Sequence, residues 1–233
     1  MDTQEVMLDK LTRKEVREAL EAGRIKAAII PVGSIEQHLE HLPLCHDIAS
    51  CVYVAENVAL KLYPQVVVAV PMNIGISEHH MMHKGTLSAK PGSFLAVLYD
   101  ACECLIRHGI ENILILNGHG GNVAPINASI NQFRRRFPDS NLHCHSYWDF
   151  TPRDLAEKIM VTKSVPGHAQ EYETAFALAI FPDAVRVDDM DDENSKFGTA
   201  EMGKALVEAT IDRLTKFLAD IIAGKNPSQI NGL

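Results

Sequence analysis

Glu36, His38 and Asp47 bring two ligand-competent side chains two residues apart and a carboxylate nine residues further on. Imidazole nitrogens and carboxylate oxygens are donors for divalent cations, and a carboxylate with two oxygens can bridge a pair of ions. The competing reading is a polar strand-end loop whose aspartate caps the apolar helix starting at Ile48. A second cluster, Asn117-Gly118-His119-Gly120-Gly121-Asn122, surrounds one imidazole with glycines that let the backbone turn tightly and expose it. A dinucleotide-binding loop competes for this segment, but the G-x-G-x-x-G spacing is absent, since the glycines fall at 118, 120 and 121. A third cluster, His168-Ala169-Gln170-Glu171-Tyr172-Glu173, stands at the expected start of a helix. His168 and Glu171 would share a face of that helix, with Glu173 pointing elsewhere. The plainer alternative is that these carboxylates complement the helix dipole.

The elements that must position these groups alternate. Lys26 to Val32, Val66 to Pro71 and Asn112 to Asn117 are short apolar runs with the form of buried strands, and Leu142 to Ser146 is a fourth. Between and after them, helical periodicity covers Ile48 to Leu62, Ser93 to His108 with Ser93 as N-cap, His168 to Ile180, and Thr199 to Ala223. Strands separated by helices imply a mostly parallel sheet covered on both faces, with ligands bound beyond the carboxyl ends of its strands. The segments Gly33 to His38 and Asn117 to Asn122 follow directly on two of those ends. Val187 to Lys196 reads as a polar surface loop, and no repeat or linker composition marks a boundary, so residues 1–233 are expected to form one domain.

Composition narrows the partners. A formal net charge of −8 disfavours nucleic acid and anionic membrane surfaces as targets. The apolar runs are far shorter than the ~20 residues a membrane span requires, and residues 1–21 carry alternating charges rather than a signal-peptide core. Cys45, Cys51, Cys102, Cys104 and Cys144 are odd in number and lack CxxC spacing, which fits a reducing, cytoplasmic setting.

Taken together, the ordered motifs resemble the creatininase family. The residues that carry the resemblance are Pro31-Val32-Gly33-Ser34-Ile35-Glu36-Gln37-His38, His41-Leu42-Pro43-Leu44 with Asp47, Lys84-Gly85-Thr86-Leu87, Asn117 to Asn122, and His168-Ala169 with Glu173-Thr174. The resemblance implies a three-layer α/β/α fold with a mostly parallel central sheet. It implies two divalent metal ions per chain, zinc or manganese, bridged by an aspartate and by a water or hydroxide. By position, Glu36 and His119 would hold the first ion, His38 the second, and Asp47 both. His168 would match the family's catalytic histidine, moving a proton to the leaving group.

Several positions depart from the family pattern. Gly121 stands where creatininase has a glutamate ligand, so another residue must complete the second ion; Glu171 is the expected one, with Glu173 in reserve. Gly167 replaces an acidic residue before the catalytic histidine, which counts against creatinine itself as substrate. Leu39-Glu40 and Cys45-His46 put bulk and charge where relatives carry small residues or threonine. The resemblance suggests His80, among His79, His80 and His83, and Trp148 as substrate contacts, with Gly120 beside His119; surface clustering and core packing are the ordinary alternatives for these histidines and for Trp148.

The expected activity is hydrolysis by attack of a metal-bridging hydroxide on a carbonyl carbon of a small polar, cyclic substrate, breaking a C–N bond. Ring opening of an oxidised inositol at a C–C bond is the alternative. Outside enzymes, a nucleotide-binding regulatory domain or a metal-binding assembly protein would have to explain the same residues. The family also implies a closed homo-oligomer, with hexamers known among its members.

Overall fold

The computed structural model describes residues 4–225. Its main elements are α1 (Arg13–Glu21), β1 (Ala27–Val32), α2 (His46–Lys61), β2 (Val66–Val68), α3 (Pro91–Arg107), β3 (Asn112–Asn117), α4 (Gly120–Arg136), β4 (Asn141–Ser146), α5 (Arg153–Ile159), α6 (Glu171–Ile180) and α7 (Ala200–Ile222). The four strands form one sheet in the order β2-β1-β3-β4, every neighbouring pair parallel, with Ala27 opposite both Val66 and Asn112, and Asn112 opposite Asn141.

Alternation along each strand supplies two buried faces. Ala27, Ile29, Leu114 and Leu116 join the apolar cluster that also contains Val54 and Val58 of α2, Phe176 of α6 and Leu214 and Phe217 of α7. Ala28, Ile30, Val32, Ile113 and Ile115 face the other way, onto Leu98 and Leu105 of α3 and Ile126 and Ile130 of α4. The fold is therefore the expected three-layer α/β/α arrangement. At ~1.5–3 kcal/mol for each fully buried aliphatic side chain, these two layers are the main stabilising contribution.

The topology also locates the site. From β1 the chain moves outward to β2, and from β3 it moves outward to β4 on the opposite side. A crevice opens where connections diverge in this way, at the carboxyl ends of β1 and β3. Residues 33–45 leave β1 there, and Gly118 and His119 leave β3.

Element starts differ from the sequence expectations in ways that matter for the site. The second helix begins at His46, so Asp47 lies inside its first turn instead of capping it. The sixth begins at Glu171 rather than His168, because Ala169 adopts a left-handed backbone (φ 53°) and turns the chain before the helix starts. In the third, Pro91 occupies the first position, where its missing N–H costs nothing, and Ser93 lies inside the turn. The second strand ends at Val68.

Candidate metal centre

The loop after β1 is closed by backbone bonding from Glu36 N to Leu44 O (3.0 Å) and tied to α6 by His41 Nε2 and Thr174 Oγ1, 2.9 Å apart. Within it, Glu36 and His38 are almost wholly buried. His38 Nδ1 lies 3.1 Å from the Glu36 carbonyl oxygen and donates to it, which leaves Nε2 as the free lone pair. That nitrogen is 3.0 Å from Asp47 Oδ1 and 3.8 Å from Glu173 Oε2.

The β3 side presents a mirror arrangement. Gly118 packs directly on the Asp47 carbonyl and on Cys51, where a Cβ would collide, so only glycine lets this loop lie against the start of α2. His119 Nε2 donates to Ile76 O at 3.1 Å, with Ser77 Oγ at 3.2 Å, so its Nδ1 faces the cluster. Nδ1 lies 2.9 Å from Asp47 Oδ2 and 3.4 Å from Glu36 Oε1. Asn117 and Asn122 brace this loop: Asn117 Nδ2 donates to His119 O at 2.8 Å, and Asn122 Nδ2 donates to Gly33 O at 3.1 Å.

Asp47 thus sits between two imidazoles, one oxygen towards each. The approaches are close without being hydrogen bonds throughout: Glu36 Oε2, His38 Nε2 and Asp47 Oδ2 are buried and have no hydrogen-bond partner. Imidazole nitrogens and carboxylate oxygens converging on a common buried space are what cations require. Mixed imidazole and carboxylate donors fit zinc or manganese.

The electrostatics agree. Burial opposes charge on His38, but the Asp47 carboxylate beside it, Glu173 and the Glu36 carbonyl together outweigh burial and push it up to about 9. His119, likewise opposed by burial, is pushed up to about 10 by Asp47 and Glu36. Burial disfavours the Asp47 carboxylate, yet the two histidines hold it below the usual range. Burial drives Glu173 up to about 8 against the pull of His38. Without cations, then, protonated imidazoles balance the carboxylates, and divalent ions would displace those protons.

The expectation for Glu171 is corrected. Its carboxylate accepts from Val161 N (2.7 Å), Thr162 N (2.6 Å) and Thr162 Oγ1 (2.6 Å), so it fastens residues 161 and 162 to α6 and does not face His38. Glu173 is the glutamate on the cluster, with Oε2 also accepting from Ala169 N at 2.6 Å. Nor do His168 and Glu171 share a helix face, since His168 precedes the helix. At Gly121 the space a glutamate would need is taken by Ile76 O and the His119 ring.

His168 lies at the rim, its Nδ1 3.8 Å from Glu36 Oε1. Burial and the neighbouring His38 and His80 lower it to about 4, so the ring is neutral at pH 7. Gln37, missed from sequence as a site residue, bonds it: Gln37 Nε2 is 2.7 Å from His168 Nε2 and 3.0 Å from His80 Nδ1, while Gln37 Oε1 accepts from Leu39 N at 3.0 Å. With its oxygen so engaged, the amide donates to both rings, and His168 keeps its own proton on Nδ1, towards the cluster. The His80 and His168 rings stack at 4.5 Å. His79 stacks on His119 at 5.8 Å, whereas His83 is exposed. Gly120 opens α4 with free space where a Cβ would be.

Trp148 lies elsewhere. It lines a groove of about 1110 Å³ with Arg153, Lys163, Val165 and Arg213, and none of the clustered ligand candidates lines that groove. The residues sequence reading did not assign are Gln37, between two assigned positions, and His46, whose two ring nitrogens are buried without hydrogen-bond partners.

Residues 9–216 match the family model Creatininase, described as creatinine amidohydrolase. The 3-dehydro-scyllo-inosose hydrolase of Thermotoga maritima is 32% identical over 187 residues, 76% of this chain and 57% of that protein, so this chain spans little more than half of that relative's length. Creatinine amidohydrolase of Pseudomonas putida is 28% identical over 198 residues, 78% of this chain and 75% of that one. The mycofactocin precursor peptide peptidase of Mycolicibacterium smegmatis is 31% identical over 173 residues, 71% of this chain and 62% of that one. A crystal structure of creatininase superposes with a TM-score of 0.84 at 22% identity, covering 94% of this chain and 99% of that one. A mutant creatininase of Zn-Zn type and a Mn creatininase superpose with TM-scores of 0.82 and 0.79. Among the described residues no helix is long and apolar enough to cross a membrane.

Proposed function

The chain belongs to the creatininase family, and from that premise we propose that it is a hydrolase that works with two divalent ions, zinc or manganese. The observation that carries this reading is the placement of Asp47, whose Oδ1 and Oδ2 each face a different buried histidine at 3.0 and 2.9 Å. Glu36, His119 and Asp47 would hold the first ion; His38, Glu173 and Asp47 the second. Such a pair, when bound, supplies hydroxide at neutral pH and Lewis acidity towards a carbonyl oxygen.

The chain's own residues then have definite tasks. His38 and His119 keep their outer nitrogens on backbone carbonyls, so the lone pairs stay aimed inward. His168, neutral at the edge of the cluster, would take up a proton from the attacking water and pass it to the group that leaves the carbonyl carbon. Gln37 orients that ring and its partner His80. His80 and Gly120 line the approach to the ions and are the proposed substrate contacts. Trp148, in its separate groove, is no longer one of them.

We place the substrate among small polar cyclic compounds with a carbonyl, a cyclic amide first. A second reading, opening of a cyclic polyol ketone at a C–C bond, is favoured by the 32% identity to the Thermotoga maritima inosose hydrolase. Assaying the metal-loaded protein against cyclic amides, inositol ketones and short peptides tests both. Turnover of a cyclic amide supports the first reading, ring opening of the ketone the second, and no turnover of any carbonyl compound by a protein holding two ions opposes the enzyme assignment. A closed homo-oligomer in a cytoplasmic setting belongs to the same proposal, and a monomer in light scattering would contradict the oligomer.

A further inference from the structure

His46 opens α2 next to Asp47, and its side chain is fully buried. Neither Nδ1 nor Nε2 has a hydrogen-bond partner. Both nitrogens of a buried imidazole are rarely left unpaired, because water would otherwise bind each of them. The surroundings offer little that could serve: the ring meets the edge of Phe181 at 5.9 Å and lies 5.0 Å from the His38 ring, tilted by 50°. One ligand atom each from His38, His46 and Glu173 fall within 4.8 Å of one another, and all three residues are buried.

We propose that His46 is a ligand of the second ion. This rests on the two-ion reading above and goes beyond it by giving that ion a specific donor set: His38 Nε2, one His46 nitrogen, Glu173 and Asp47. Two imidazoles tilted against each other at this separation suit neighbouring positions around one cation. With two nitrogens and two carboxylates at this position, against one nitrogen and two carboxylates (His119, Glu36, Asp47) at the other, the ions are inequivalent. Imidazole donors favour zinc, and carboxylates favour manganese.

The test compares full-length wild type with His46→Gln and His46→Ala, each loaded with zinc or with cobalt. Circular dichroism verifies the fold, elemental analysis gives metal content, and competition with a chelator gives affinity. The expected result is two ions in wild type and one tightly held ion in both variants. Affinity for the second ion falls by more than the ~10- to 100-fold typical of an outer-shell partner, and the visible spectrum of cobalt at that position changes. Should His46→Ala fail to fold, His46→Gln, of similar length, decides. Two ions in a folded variant, with unchanged affinity and cobalt spectrum, would overturn the assignment of His46 alone and leave the two-ion reading intact. Equal loss of both ions would also overturn it, since His46 would then act on the whole cluster. Wild type that binds no metal would overturn the two-ion reading itself.

Discussion

Glu171 and Glu173 leave the first turn of α6 in opposite directions. Residues two apart on a helix are separated by about 200° around its axis. With Glu171 engaged by Val161 and Thr162, Glu173 is carried round to lie 3.8 Å from His38 Nε2. One glutamate fastens a loop and the other completes the cluster.

Exchange of each carboxylate should therefore fail differently. Glu173→Gln should lose the second ion with little change in folding. Glu171→Gln should keep both ions yet lose about 1–3 kcal/mol of stability, because its amide nitrogen would face N–H donors. Thermal melts paired with metal analysis distinguish them, and loss of metal from Glu171→Gln alone would reverse the assignment.

His168 reaches the cluster from the rim, with one ligand atom each of Glu36, His38 and His168 within 4.8 Å of one another, so a proton carrier and a ligand must be told apart by how they fail. In His168→Ala, both ions and the fold should be retained while turnover falls roughly 10²- to 10⁴-fold, the usual contribution of a positioned acid or base. Turnover at the wild-type rate would remove it from the mechanism.

Metal uptake should release protons. In the ion-free protein His38 is raised to about 9 and His119 to about 10. Both imidazoles are protonated at pH 7 and must lose those protons to become ligands. Apparent affinity should accordingly rise with pH between about 6 and 9, by roughly tenfold per unit for each proton displaced. Calorimetry in buffers of different ionisation enthalpy reads the proton number, and a pH-independent affinity would count against these two histidines as ligands.

Leu39 carries a left-handed backbone, φ 53°, directly after His38. That conformation costs an L-residue roughly 1–2 kcal/mol, partly offset by the ~0.5–1 kcal/mol of entropy that glycine would give up on folding. Leu39→Gly should gain on the order of 1 kcal/mol, seen as a higher melting temperature. A lower one would mean that the side chain, itself partly exposed, stabilises by packing more than its backbone costs.

Much of this site was legible in the sequence because its ligand candidates sit immediately after apolar strands. Glu36 and His38 follow β1, and His119 follows β3, so locating the strands located the residues. The choice between Glu171 and Glu173 was not legible, because it turns on where α6 begins. A backbone reversal at Ala169 sets that start, and nothing in the type of that residue announces it. The fourth helix carries no readable signal, since its first turn is Gly120-Gly121-Asn122, poor helix formers, of which Gly121 is required by its tight approach to Ile76 O and the His119 ring. By contrast, α1 had a readable signal in Thr12 and Glu15, which form a capping box. In the sequence His46 is only bulk beside Asp47, for burial alone reveals that its nitrogens lack partners.

Asp47, with one oxygen towards each of His38 and His119, would serve both proposed ions. Elemental analysis of purified wild type and Asp47→Ala, loaded with zinc under identical conditions, tests it most directly. Two ions per chain in wild type and a greater loss in Asp47→Ala than in Glu36→Ala, His38→Ala or His119→Ala is the predicted result. A folded Asp47→Ala that still holds two ions would contradict it.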